Sequence, residues 1–301
     1  SDPAVHSVMR VVRIEGRPIQ QGRPIQQGCL PMQQDSGRAQ EWGLRLDPSS
    51  KLWISTAVEK AGGARDGSGK LAAIWIIDTG IAIRSPFLRV ITDHAHNFTS
   101  SDTKAFDDDN GHGTLVAGVA ASREIIWDAS SPTPERIIAG VSQGAAVVPL
   151  KALGRDGSGN WEWVTRAINH AVRWGRRGDV VNLSLGELIE NPKFCEDSVA
   201  GLKMAIENAA RAGMYVVIAT GNGGRNISLS RPACFKFDPK TLDHIVLVAS
   251  LTYNNQCALY SNYGKGVRYA AVGTDVFAPY MESDTAKKER HFLAPPARRR
   301  R

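Results

Sequence analysis

The stretch Leu71-Ala-Ala-Ile-Trp-Ile-Ile-Asp-Thr-Gly80 decides the fold. Residues 71–77 are apolar without a break, the pattern of a strand buried on both faces of a parallel sheet. Asp78-Thr79-Gly80 stops the run and turns the chain. Similar runs recur at 145–150, 180–185, 214–219 and 245–250. Between them, residues 161–174 put Val164, Ala167, Ile168, Ala171 and Val172 on one helical face. Residues 198–212 do the same with Val199, Leu202, Ala205, Ile206, Ala209 and Ala210, and Gly213 is placed to cap the end. Strand and helix in alternation imply an α/β fold: a mainly parallel sheet with right-handed crossovers and helices on both faces. In such sheets, functional residues are expected just past the carboxyl ends of strands.

Outside these runs the chain is plainer. With 301 residues, 42% hydrophobic and 22% charged, it can bury a sizeable core. No apolar stretch is long enough to cross a bilayer, so no membrane partner is expected. No charged-then-apolar leader follows Ser1, so no signal peptide is expected in this sequence. Residues 17–22, Arg-Pro-Ile-Gln-Gln-Gly, are repeated letter for letter at 23–28. Such a repeat carries neither helix nor strand periodicity, and residues 1–40 read as a low-complexity leader or linker.

The net charge of +7 is concentrated at one end. Residues 287–301 hold seven Lys/Arg against Glu289, whereas the other 286 residues carry 30 Lys+Arg against 29 Asp+Glu. A nearly neutral body disfavours a basic nucleic-acid-binding domain. Four cysteines, Cys29, Cys195, Cys234 and Cys257, are too few for a disulfide-built scaffold and leave the pairing open.

Three polar residues stand where chemistry is expected. Asp78 follows the first buried run and by itself reads as a turn residue. His112 lies between Gly111 and Gly113, ahead of a small-residue helix, which lets backbone approach and leaves the imidazole accessible. Asn222 follows the 214–219 run, as a turn residue or as an amide able to donate to an oxyanion.

Taken together and in this order, Ile77-Asp78-Thr79-Gly80-Ile81, Gly111-His112-Gly113-Thr114 and Ala219-Thr220-Gly221-Asn222 closely resemble the three motifs of subtilisin-like serine proteases. Residues 148–160, 181–186, 260–264 and 275–279 resemble further segments of that family, so the likeness spans roughly Trp42 to Pro279. The resemblance implies a subtilisin-like peptidase domain over residues 41–279. It makes His112 the general base and Asp78 the residue that orients it, with Asn222 donating to the oxyanion. An extended polypeptide would lie as an added strand between Gly157, Ser158, Gly159 and Ser184, Leu185, Gly186. Ala219, Thr220 and Gly221 would line the pocket for the side chain before the scissile bond. The family's chemistry needs no cofactor, although calcium in surface loops is common in it; the sequence places no such site. Secretion and a monomeric state are also expected from the resemblance.

Two departures stand out. Leu115 replaces a second histidine that many members carry. More consequentially, the family's Gly-Thr-Ser-Met-Ala-x-Pro-His segment, with its nucleophile, has no counterpart after Pro279. Ser283 lacks the preceding Gly-Thr and is followed by Asp284, Thr285, Ala286 and Lys287-Lys288-Glu289-Arg290. Unpaired charges of that kind do not enter a buried helix. Ser283 therefore reads as an ordinary exposed serine, residues 280–301 as a basic disordered tail, and the peptidase fold as incomplete at its carboxyl end. The expectation is a family member inactive as this 301-residue chain, with a pseudoprotease that binds peptides as the alternative. Sequons stand at Asn97, Asn182 and Asn226; Asn182 falls in a buried run, while Asn97 and Asn226 read as glycosylation candidates.

Overall fold

A computed structural model describes residues 5–7, 44–46, 53–55, 72–123, 125–126, 136–138, 140–252, 255–274, 276 and 278. The elements that matter for the site are, in chain order, β1 (Val5–Ser7), β2 (Ile74–Asp78), β3 (Arg89–Val90), β4 (His96–Asn97), α1 (His112–Ala121), β5 (Ala146–Lys151), β6 (Ser158–Gly159), α2 (Trp161–Trp174), β7 (Val180–Leu183), β8 (Leu185–Leu188), α3 (Ala200–Arg211), β9 (Tyr215–Ala219), β10 (Ser230–Arg231), β11 (Ile245–Leu251) and β12 (Tyr269–Val272). The main sheet is parallel, in the order β12-β11-β9-β7-β2-β5-β3, with β4 also paired to β5. A small separate sheet joins Leu44–Leu46, Trp53–Ser55, Ile125–Ile126 and Arg136–Ile138.

The continuous apolar runs divide by parity. On β2, Trp75 and Ile77 enter the core formed with α2 and α3, whereas Ile74 and Ile76 enter the core formed with α1. Alternate residues of a strand point to opposite faces, so both faces of β2 are buried and the run has no polar member. Ile74, Ile76 and Ile77 are fully buried, each contributing about 1.5–3 kcal/mol by removal from water. Asp78 continues the row of Ile74 and Ile76, so its carboxylate emerges on the face that α1 covers.

Helix α2 begins where its cap dictates. Asn160 is extended and its side chain accepts from the Trp163 N–H, a bond worth about 1 kcal/mol. Val164, Ala167, Ile168 and Ala171 are buried along its inner face. At the end of α3, Gly213 adopts φ +79°, which satisfies the left-handed exit a helix commonly takes.

Two features differ from the sequence reading. The 180–185 run is not one strand: β7 stays in the parallel sheet, and after Ser184 the chain leaves it as β8 to pair antiparallel elsewhere. Asn97 is 2% exposed, and its amide donates to Ser100 Oγ and the Asp102 carbonyl, so it is a loop-closing residue and not a glycan acceptor. Asn226 is exposed, and Asn182 is buried with its amide on Ser184 Oγ.

Cys195 and Cys234 form a disulfide, Cys257 is disulfide-bonded as well, and no described cysteine is free. The rest of the 1–40 leader, Ser283 and the 280–301 tail lie outside the described residues.

Candidate active site

The end of β2 and the start of α1 are brought into contact by two glycines. A Cβ on Gly113 would sit 2.0 Å from the Gly80 carbonyl oxygen, and one on Gly80 would sit 2.6 Å from the Phe106 carbonyl oxygen. Gly80 also has φ +109°, which disfavours a side chain irrespective of space. A larger residue at Gly113 would push the helix away from the strand end, and one at Gly80 would push away the loop at Phe106 and Asp107.

His112 is the first residue of α1. A helix start leaves N–H groups without intrahelical partners, and the N-cap Gly111 has no side chain to offer. Three side chains from elsewhere take over. Asn110 Oδ1 accepts from the His112 N–H, Thr79 Oγ1 from the Gly113 N–H and Asp108 Oδ2 from the Thr114 N–H. The imidazole is thereby aimed at β2, and His112 Nδ1 lies 2.7 Å from Asp78 Oδ1. That oxygen also accepts from the Thr79 N–H at 2.7 Å.

Asp78 is fully buried and His112 is 8% exposed. The flanking glycines were expected to leave the imidazole accessible; instead it is buried, and Gly113 admits the Gly80 backbone beside the helix start. His112 Nε2 and Asp78 Oδ2 are buried without a hydrogen-bond partner among the described residues. Burial alone lowers the basicity of the imidazole. The Asp78 carboxylate, through charge and hydrogen bond, and then Asp108 through charge, more than offset this and leave the His112 pKa raised.

Beyond the carboxyl end of β9, Ala219, Thr220 and Gly221 are buried and Asn222 is exposed. Asn262 shapes this loop. It is fully buried; its amide donates to the Thr220 carbonyl, its N–H to the Gly221 carbonyl, and its Oδ1 accepts from the Gly223 and Arg225 N–H groups. The sequence reading placed residues 260–264 in a matching segment without singling out Asn262. Its partners lie about forty residues away in the chain, and nothing in Tyr260-Ser261-Asn262-Tyr263 marks them.

β6 and β8 carry the residues expected to flank a substrate, and both are paired antiparallel to β1. Val5 faces Gly159, His6 faces Ser158 and Gly186, and Ser7 faces Leu185. The sheet order is β6-β1-β8-β10. Gly157 supports the turn before β6 with φ +75°, and Ser184 is 1% exposed behind β8. Beside β8, Arg231 on β10 is buried, with Nη1 3.1 Å from Glu187 Oε2; Trp161 Nε1 donates to the same oxygen. Arg231 also bonds the carbonyls of Phe194, Cys195 and Asp197, tying β10 to the disulfide loop. No sequence pattern pointed to this network.

The order Asp, His, Asn, with Asp78 and Asn222 past strand ends, His112 at a helix start and the Asp78–His112 bond formed, meets the comparison with known proteins at this point. The profile described as Subtilase family matches residues 69–294.

The chain belongs to the subtilase family.

It is 30% identical over 262 residues to the major intracellular serine protease of Bacillus subtilis (strain 168), covering 84% of this chain and 71% of that protein. It is 31% identical over 231 residues to thermitase of Thermoactinomyces vulgaris, covering 77% and 72%. Among solved structures, a cold adapted subtilisin-like serine proteinase superposes with a TM-score of 0.53 at 22% identity, over 69% of this chain and 65% of that one, a likeness of fold. The family match extends past Pro279 to residue 294 and takes in Ser283. Among this subtilase's described residues, no group of three or more His, Cys, Asp or Glu is placed to hold a metal ion, and no helix is long and apolar enough to cross a membrane.

Proposed function

We propose that this subtilase binds extended polypeptides in the cleft between β6 and β8, and that the 301-residue chain does not itself cleave them. The observation that carries the reading is β1. A polypeptide strand in the cleft pairs with Ser158, Gly159, Leu185 and Gly186 through its backbone. Backbone pairing of this kind accepts many sequences and leaves specificity to pockets.

Family chemistry assigns the roles. Asp78 fixes the tautomer that puts a proton on His112 Nδ1 and leaves Nε2 free to take a proton from a serine hydroxyl and return it to the leaving amine. The resemblance has Asn222, exposed on the loop after β9, donate its amide to a developing oxyanion. Ala219, Thr220 and Gly221 border the pocket. What is lacking is a serine in the family's setting, because Ser283 sits in Tyr-Met-Glu-Ser-Asp-Thr with Lys287-Lys288-Glu289-Arg290 beyond it. Without the nucleophile the covalent route is closed, and only weak catalysis from the remaining groups survives.

The reading needs no cofactor, and calcium would be structural. The disulfides favour an oxidising compartment and hence secretion. The body's near-neutral charge gives nucleic acid no basic face to bind, and the monomeric state is carried over from the family resemblance.

A fluorophosphonate probe tests the site. The folded chain should bind a plain extended peptide by calorimetry and remain unlabelled. Labelling that disappears in Ser283→Ala would overturn the proposal and make Ser283 the nucleophile.

A further inference from the structure

The loop before α1 contains a carboxylate with more partners than a turn needs. Asp108 Oδ1 accepts from Thr79 Oγ1 at 2.9 Å, the Asn110 N–H at 3.0 Å and the Gly111 N–H at 2.8 Å. Asp108 Oδ2 accepts from the Thr114 N–H at 2.9 Å and Thr114 Oγ1 at 2.5 Å. The residue is 9% exposed, so these bonds replace water and do not merely compete with it.

Thr79 follows Asp78 directly in the chain, and Gly111 directly precedes His112. Each member of the buried pair is therefore one peptide away from a bond to the same carboxylate. Thr79 Oγ1, while donating to Asp108, accepts from the Gly113 N–H, which closes the link between the strand end and the helix start. We infer that Asp108 is a positioning residue: it locks the turn after β2 to the start of α1 in the arrangement that places His112 Nδ1 on Asp78. The inference rests on the proposed role of the Asp78–His112 pair.

Only an ionised carboxylate satisfies this set. Both oxygens must accept, and all five partners donate. An Asn at this position has one accepting oxygen and would turn an NH2 group towards donors on the other side. The negative charge has an effect of its own, since Asp108 is among the groups that favour protonated His112. The other charged residues nearby are Asp78 on β2, Asp107 and Asp109 in the same loop, and Lys151 on β5, which is paired with Asp109. None of these bonds the helix start at both Gly111 and Thr114.

Proton NMR on the intact chain reads the geometry directly. In the unaltered protein, the Nδ1 proton shared with Asp78 should give a far-downfield resonance. In Asp108→Asn that resonance should be lost or broadened, and the His112 titration should move towards its ordinary value. Thr114→Val keeps the backbone bond and removes the hydroxyl, so it should shift both readouts the same way by less, and it carries the test if Asp108→Asn does not fold. Ile206→Ala, a change on α3 in the core on the other face of the sheet from α1, should lower stability and leave both readouts in place. An unchanged resonance and titration in a folded Asp108→Asn, or in Thr114→Val where that variant carries the test, would overturn the inference. Absence of the resonance in the unaltered protein would instead remove the Asp78–His112 reading beneath it.

Discussion

Asp78 and Lys151 are register partners on adjacent parallel strands, yet the Lys151 ammonium is bonded to the Thr79 carbonyl at 2.5 Å and to Asp109 at 2.6 Å. The lysine side chain is 5% exposed. A buried cation beside a buried acid thus braces the turn that follows the acid, and Asp78 Oδ1 is left to the Thr79 N–H and His112.

Lys151→Met should lower stability by about 1.5–3 kcal/mol, the range for a hydrogen bond to a charged group, because the Thr79 carbonyl loses its donor. Urea unfolding measures this. A loss no larger than that of an exposed pair, below about 1 kcal/mol, would show that water replaces the ammonium.

The raised His112 pKa fixes a sign. A group that binds its proton more tightly when folded adds stability that is complete below its unfolded pKa, about 6.5. That contribution is lost as pH rises from there through the folded value. Asp78→Asn removes the largest raising influence, so the variant's stability should decline less over the same window. Denaturant midpoints measured across neutral to alkaline pH test this; parallel curves for the two proteins would contradict it.

Arg231→Met removes the ion-pair partner of Glu187, whose side chain is 14% exposed and keeps its bond from Trp161 Nε1. The expected cost is about 1.5–3 kcal/mol, the range for a hydrogen bond to a charged group. Guanidinium unfolding gives the number. Peptide affinity should fall with it, since Glu187 and Arg231 are directly paired across β8 and β10.

Removing residues 1–7 should tighten binding of an added extended peptide. A tethered strand competes at an effective concentration in the millimolar range, so a gain of about tenfold or more is expected. Calorimetry on the two chains compares them directly, and equal affinities would place the peptide somewhere other than the β1 position.

Much of the fold was legible because it depends on local rules. Residues 161–174 form α2 over the full span that their apolar spacing marks, and Gly213 takes the left-handed exit expected of it. The buried runs mark β2, β5, β9 and β11 because each is covered on both faces. What pairs with what is less local. Nothing in Val5–Ser7 identifies β6 and β8 as its neighbours, and the apolar pattern through Ser184 does not reveal that the chain changes sheets there. The site divides in the same way. Asp78 and Asn222 were visible as polar residues past apolar runs, and His112 as one ahead of a small-residue run. Lys151 and Asn262 act through backbone groups distant in sequence, and Asp108 joins nearby N–H groups to the distant Thr79 hydroxyl; a carboxylate, a cation or an amide carries no mark of which partner it will meet.

The strand in the cleft has a colloidal consequence as well. β6 and β8 would each present a row of unpaired backbone donors and acceptors, the kind of border on which foreign chains add themselves and aggregates begin. β1 pairs with both at once. The same opening that lets a guest peptide align is thereby closed to indiscriminate strand addition, and a chain shortened at its start should be the stickier one in solution.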